Sequence, residues 1–458
     1  MTYIKYNFLI IFIIIFLTSC TNKQKINNHE NKIENNKTSS ITITHHFENI
    51  KDNTLKEQEK FKTTKINFIE KEFLSILKTD KYESLCSSKK LYQKIKTLDN
   101  STNKSKLIEK LLLQYTNNLA NGCININDMN KKIARNKRNK IKTSYTTYHQ
   151  YVNKKRILKQ YRSNNVSINT ILKHYIPTHP SFMSFIKVLH SKKLSKKLYY
   201  KLRLNIERLK IMKKYNTKNF IQLNIPSYSF NFYENGSKSM NFGTIVGDLE
   251  DQTPILSSKV NYFIVNPAWN IPDSIAKKTI IPRMLKDKKY LKRKHIEIHK
   301  NYYLTSKRFY QKDIKWKKYL KKHVRYIPYK FIQLPSNTNG MGRVKFIFPN
   351  KYAVYMHDTI GSWRFKSSRQ GIRAVSHGCI RLEHPLALIK HISTHYTKRS
   401  YASVRRDYNS RMMKTISLSK KLPIHITYLT AYIKNEKLHF YKDLYRYDSL
   451  QKLNFRLN

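Results

Sequence analysis

FIQLNIPSYSFNFYENGSKSMNFGTIVGD, residues 220–248, is where the chain changes character. Apolar and polar side chains alternate along it, the period of a strand with one buried face, and Glu234-Asn235-Gly236 interrupts the alternation as a hairpin turn does. Upstream, the apolar period is three to four. Ile66, Phe68, Ile69, Phe73, Leu74 and Leu77 make one helical stripe. Leu107, Ile108, Leu111, Leu112, Tyr115 and Leu119 make a second, closed by Asn121-Gly122 as a C-cap. Shorter amphipathic pieces follow at 166–172, 182–189 and 194–212. Downstream, strand-like runs recur at 262–265, 344–348, 353–357 and 424–431. Between them, residues 283–329 are strongly basic, rich in Lys and Tyr and poor in strand signals, and read as a mobile insertion. The pattern predicts an α+β chain, with an N-terminal helical scaffold domain (63–215), a strand-dominated domain (216–435) and a C-terminal extension (436–458).

The first 24 residues read MTYIKYNFLIIFIIIFLTSCTNKQ. Lys5 supplies a short positive region, residues 8–17 are unbroken apolar, and Leu17-Thr18-Ser19 leads into Cys20. The apolar run is shorter than a membrane span needs and suits an export signal. Its ending resembles the lipobox of bacterial lipoproteins, in which the cysteine is lipidated and becomes the mature N-terminus. The expectation is a signal peptide at 1–20, lipidation at Cys20, a flexible polar tether at 21–62, and a membrane lipoprotein of the cell envelope facing the periplasm.

Net charge is +62, from 90 Lys+Arg against 28 Asp+Glu. The lysines are spread along the whole chain among Asn, Ile and Tyr, and no nucleic-acid module accompanies them. Nucleic acid is therefore not an expected partner. Such a surface is drawn instead to anionic envelope polymers and headgroups, in a salt-dependent way.

Export changes the meaning of the four cysteines. With Cys20 assigned to lipid, Cys86, Cys123 and Cys379 remain. Cys86 and Cys123 are either bridged or two buried free thiols; the sequence leaves both open. Cys379 lies in RAVSHGCIRLEHP, residues 373–385. Alternation in YAVYMHDT places Tyr355 and His357 on one face, facing one cleft. Gly378 permits close backbone approach, and amides at Gly378 and Cys379 suit an oxyanion. Pro385 begins a helix, with Glu383 in its first turn. A thiol beside histidine on such a turn is expected to have a depressed pKa and act as a nucleophile.

His357 followed by SHGCIRL resembles the signature of the L,D-transpeptidases, cysteine enzymes of bacterial peptidoglycan with a YkuD-type catalytic domain. NYFIVNPAWNIPDSIAKKTIIPRM, LPSNTNGMGRVKFIFPNKYAVYMHDT and LPIHITYLTAYIKNEKLHFYKDLY are similar to the large periplasmic branch of that family, over roughly residues 200–447. The resemblance implies that Cys379 is the nucleophile and His357 its base, oriented by Asp358 through its side chain or its carbonyl. It further implies an oxyanion site at Gly378 and Cys379. Tyr355, Ser376, His377 and Arg381 then line the substrate pocket, and the basic insertion forms a lid over peptidoglycan stem peptides. The loop 358–375, with Gly361, Trp363 and Arg369, is longer than the branch implies. No peptidoglycan-binding module is recognisable in residues 150–215. The implied activity is cleavage before the terminal D-Ala of a tetrapeptide stem, with the thioester passed to an amine. The alternatives are a carboxypeptidase or endopeptidase on the same fold, or a non-catalytic wall-binding lipoprotein.

His295/His299 and His391/His395 have spacings that could place two ligands on one face, but neither brings a thiol, a third ligand or an HExxH frame, and His174/His179, flanking Pro177, reads as a turn. Gly340-Met341-Gly342 reads as a turn before a strand rather than a phosphate loop. No metal and no cofactor is expected.

Overall fold

Residues 220–248 fold as the alternation dictates, into β1 (Phe220–Asn224), β2 (Ser229–Glu234) and β3 (Ser237–Gly247). Asn235 and Gly236 both take positive φ, 52° and 85°, as the tight turn joining β2 to β3 requires. The computed structural model describes residues 68–99, 102–135, 145–163, 165–321, 323–324, 326–365 and 373–456. Cys20, the tether at 21–62, Ile66 and Arg369 lie outside them. Thr63–Asn458 is one compact unit.

The helical layer holds α1 (residues 68–78), α2 (Lys89–Lys96), α3 (Thr102–Asn121), α4 (Ile126–Arg135), α5 (Lys154–Ser163), α6 (Ile168–Lys173), α7 (Ser181–Ser191) and α8 (Lys196–Lys210). On α3, Ile108, Leu111, Leu112, Tyr115 and Leu119 are fully buried. Each such aliphatic side chain contributes about 1.5–3 kcal/mol over exposure. Asn121 closes the helix, and Gly122 follows at φ +74°, its N–H donating to the Asn118 carbonyl (2.9 Å). Cys86 and Cys123 are joined in a disulfide, with Cα atoms 6.4 Å apart. That resolves the alternative the sequence leaves open.

The strand-rich half adds β4 (Leu256–Val265), β9 (Val344–Ile347), β10 (Met356–His357), β11 (Ala374–Ser376), β12 (Ile380–Leu382) and β13 (Lys414–Thr427) to the first three strands. Their order is β11-β3-β12-β10-β9-β4-β13-β1-β2, and β2 also pairs with β3, so the sheet closes on itself. The first half of β13 alternates buried and exposed residues, while its second half is buried throughout, as a strand covered on both faces must be. Two helices, α12 (Pro385–Tyr396) and α13 (Tyr401–Asn409), follow β12 and pack against β13.

Three regions differ from the sequence expectation. The basic insertion is a packed subdomain rather than a mobile loop. It runs from β5 (Trp269–Ile271) through three short helices, α9 (Asp273–Ile275), α10 (Ile281–Lys286) and α11 (Tyr290–Arg293), to β6 (Ile296–His299), β7 (Arg308–Phe309) and β8 (Lys330–Gln333). These strands form a four-stranded sheet over a core that includes Met284, Trp316 and Phe331. Its aromatic residues do the packing that the lysine-rich composition conceals. The run at 353–357 pairs as a strand only at β10. Before it, Asn350 folds back and its carboxamide oxygen accepts from the Tyr352 and Val354 amides (both 3.1 Å). Finally, the C-terminal residues are no appendage. Leu429 and Ala431 join the helical core, with β14 (Ala431–Lys434) and β15 (Lys437–Phe440) against it, and α14 (Tyr447–Leu450) follows. The Asn454 amide then bonds the Cys123 carbonyl (3.0 Å).

Candidate active site

Strand register assembles the site. β10 pairs in parallel with β12, setting His357 opposite Arg381, and antiparallel with β9, setting His357 opposite Lys345. Lys345, His357 and Arg381 therefore form one row across three strands. Two residues earlier on β10 and β12, Tyr355 and Cys379 share that face. The intervening residues Phe346, Met356 and Ile380 point the other way and are fully buried in the core. Alternation thus delivers polar groups to a cleft and apolar ones to the barrel.

Cys379 is half-buried and is the free cysteine among the described residues. Its turn is built by neighbours. The Ser376 hydroxyl donates to the Cys379 carbonyl (2.6 Å), and the Thr253 hydroxyl donates to the Gly378 carbonyl (2.8 Å). Gly378 sits at φ +99°; an added Cβ would meet nothing nearer than 3.7 Å, so the backbone conformation, not space, demands glycine. Among the described residues, neither the Gly378 nor the Cys379 amide donates to a backbone acceptor.

Burial raises the Cys379 thiol above its ordinary value, opposed by the Tyr355 amide, Lys345, the Tyr355 phenol and Arg381. The depressed thiol expected from the sequence is not what this environment produces, because enclosure outweighs these four groups. His357, almost wholly buried, is brought down to about 3 by burial and by Arg381, against backbone bonds to Asp358 and Met341. Thiol and imidazole are both neutral at rest. The His357 Nδ1 meets the Asp358 carbonyl oxygen at 2.5 Å, so it is the carbonyl, not the carboxylate, that orients the ring. The Asp358 carboxylate serves elsewhere, accepting from the Arg343 and Thr359 amides (2.8 and 2.7 Å). Gly342 makes room for it: a Cβ there would lie 2.5 Å from the Asp358 carboxyl carbon.

Tyr355 stands between the two reactive groups. Its ring centroid is 5.8 Å from that of His357, its phenol bonds the thiol, and the Lys345 Nζ lies 3.8 Å from the ring centre. Tyr302 of the insertion is near enough to act electrostatically on the same phenol. The Arg381 Nε is buried without a partner. His377 is about half exposed and contacts Asp251 (3.2 Å), away from the base's place. Glu383 precedes α12 instead of lying in its first turn, because the N-cap is His384; its carboxylate accepts from the Gly243 amide (2.7 Å).

Lys345 and Thr253 escape the sequence reading. Lys345 is signalled only by the alternation of Val344, Lys345 and Phe346, which becomes informative once its strand is known to neighbour β10. Thr253 carries no local signal, since it reaches Gly378 across 125 residues.

Residues 218–405 match the YkuD L,D-transpeptidase catalytic domain. The chain is 28% identical over 262 residues, 56% of its length, to a candidate L,D-transpeptidase of Haemophilus influenzae, and spans 50% of that relative. Solved structures similar to parts of the chain include the Ldtfm–avibactam carbamoyl enzyme (8% identity, TM-score 0.21, 46% of this chain and 48% of that one). An L,D-transpeptidase from Mycobacterium smegmatis is another (12% identity, TM-score 0.20, 46% and 59%).

Proposed function

We propose that this chain, whose residues 218–405 are an L,D-transpeptidase catalytic domain, remodels peptidoglycan through a thioester on Cys379. The observation carrying the proposal is the row Lys345–His357–Arg381 beside Tyr355, with Tyr355, Lys345 and Arg381 all acting on the free Cys379 thiol. His357 takes the thiol proton as sulfur attacks the carbonyl carbon before the terminal D-Ala of a tetrapeptide stem. The amides of Gly378 and Cys379 receive the oxyanion. The C–N bond breaks, the imidazolium proton goes to the leaving D-Ala amine, and the thioester remains. An acceptor amine then displaces the thiolate, giving a 3→3 cross-link or an anchored protein; water in its place gives the tripeptide. Tyr355, Ser376, His377 and Arg381 line the donor site.

A lipid on Cys20 and the tether would hold the domain at a membrane facing the periplasm. Among the described residues no helix is long and apolar enough to cross a membrane. The insertion acts as a lid that keeps water from the thioester. β5 and β8 are antiparallel partners, so a Gly/Ser turn in place of residues 272–329 closes them as a hairpin. That variant is expected to raise the ratio of tripeptide to cross-linked product.

The deciding experiment is mass spectrometry of muropeptides after incubating the soluble domain with tetrapeptide-rich sacculi. Wild type should release D-Ala and Cys379→Ala should not. Release at the wild-type rate by Cys379→Ala would end the proposal.

A further inference from the structure

A second cleft lies away from the reactive thiol, where the helical layer meets the barrel. Its volume is about 1120 Å³, beyond the usual span for a small-molecule site. Lys173 comes from α6, and Lys213, Lys214 and Lys218 come from the segment joining α8 to β1; no carboxylate side chain lines it. Lysine is common in this chain, so number alone decides nothing. The construction of the cleft is more specific.

Lys214 is an anchor. Its Nζ donates to the Gln150 side chain (2.7 Å), the Ala120 carbonyl (3.3 Å) and the Tyr175 carbonyl. Tyr215 is tied to the barrel by its hydroxyl, which donates to the Ser258 carbonyl (2.9 Å), and Tyr148 by bonds to the Ser257 carbonyl and amide (both 2.7 Å). Both phenols are thereby used, and the Tyr215 ring also packs against His425 (centroids 5.4 Å) and under Lys259 Nζ (5.3 Å). Lys213 Nζ stands over both rings, at 5.8 and 5.6 Å. The segment carrying Lys213 and Lys218 is thus pinned at consecutive residues. Lys173, Lys213 and Lys218 are exposed and have no ion pair among the described residues.

We infer that this cleft is a binding site for a carboxylate-bearing glycopeptide strand, its exposed lysines meeting stem-peptide carboxylates. The inference rests on the peptidoglycan reading above. Ser258 and Ile264, the β4 residue paired with Lys345, are six positions apart on β4, which puts the cleft about 20 Å from the reactive row. One polymer can occupy both, so the cleft holds the strand while the thiol works on a stem.

The test is co-sedimentation of the full chain carrying Cys379→Ala with sacculi at fixed salt. Adding Lys173→Ser, Lys213→Ser and Lys218→Ser should weaken binding about tenfold, the factor that three surface charge contacts together supply. The control triple Lys193→Ser, Lys196→Ser and Lys197→Ser lies at the far end of α8, about 20 Å away, and should bind as the parent does. Lys213→Glu alone keeps the test open if the triple variant melts early. Undiminished binding by the cleft variants overturns the inference. So does an equal loss in the control, which would mean general charge, or undiminished binding to sacculi whose carboxylates have been amidated. D-Ala release by the wild-type chain is read separately, so failure of the chemistry and failure of the cleft are told apart.

Discussion

Buried charge is handled in opposite ways in two parts of this molecule. Under the helical layer, Arg203, Glu207 and Lys210 of α8 are fully buried beside Glu83. Arg203 pairs with both Glu207 and Glu83, Lys210 pairs with Glu207 (3.0 Å), and nearby Arg208 pairs with Asp448 (2.7 Å). In the row across β9, β10 and β12, Lys345 and Arg381 flank a neutral His357, and no carboxylate pairs with either cation among the described residues. Burial lowers the pKa of both, and in each the opposing charge is the thiolate of Cys379. A scaffold neutralises its buried cations permanently. On the proposed reading, the half-buried cations of the row are left for charge that exists only during the reaction.

The largest effect should come from removing the one group able to supply that transient charge. Cys379→Ala is expected to abolish D-Ala release while the melting temperature stays near wild type, since the half-buried thiol contributes chemistry and little packing. On the scaffold side, Glu207→Ala takes the paired carboxylate from Lys210 and one of two from Arg203, and should cost about 3–5 kcal/mol in denaturant unfolding. A loss under 1 kcal/mol would dissolve the contrast between the two regions. Cys86→Ser opens a disulfide of sequence separation 37 and is expected to cost about 3–4 kcal/mol by the loop-entropy relation. Alkylation of Cys379 should be untouched, and a melting temperature insensitive to reductant would contradict the bridge.

Smaller effects read the row itself. Because the Cys379 thiol is held above its ordinary pKa, alkylation by a small reagent should be slow at neutral pH and rise on the alkaline side. Lys345→Met should move that onset further up in pH, whereas Lys345→Arg should restore it; an unmoved onset removes Lys345 from the thiol's environment. Stability should also fall on acidification. His357 and His425 are brought to about 3 and His179 to about 4 by burial, against 6.5 unfolded. The unfolded chain thus binds more protons between pH 6.5 and those values. The contribution is complete above pH 6.5 and lost as pH falls toward 4. A thermal melt flat across that window would count against neutral buried histidines.

The sequence makes the plan of this molecule readable where periodicity is local. The α3 stripe, the hairpin at Asn235-Gly236 and the SHGC turn need only neighbouring residues for their reading. What it hides depends on partners far along the chain. KKLYYKLRLNIERLK reads as a helix with a solvated charged side, yet its Arg203, Glu207 and Lys210 are interior because Glu83 and the disulfide-linked turns close over them. Lys345 looks like any outward lysine until strand order puts it beside His357. The insertion reads as loose because lysines dominate it, while Trp316, Tyr319 and Phe331 quietly build its core. In the site, the thiol's companions are legible from the motif, and its raised pKa is not, since enclosure is a property of the whole fold.

The route of the last thirty residues sets an order of events for a chain threaded outward from its N-terminus. The helices emerge first, but their core lacks Leu429 and Ala431, and the turn at Cys123 lacks its bond from Asn454, until those residues are made. β1 likewise waits some 200 residues for its parallel neighbour β13. Such distant pairings form late and slowly. Nothing in the described structure is complete in the N-terminal half alone, so a nascent copy interrupted before residue 429 leaves an open apolar layer to proteases.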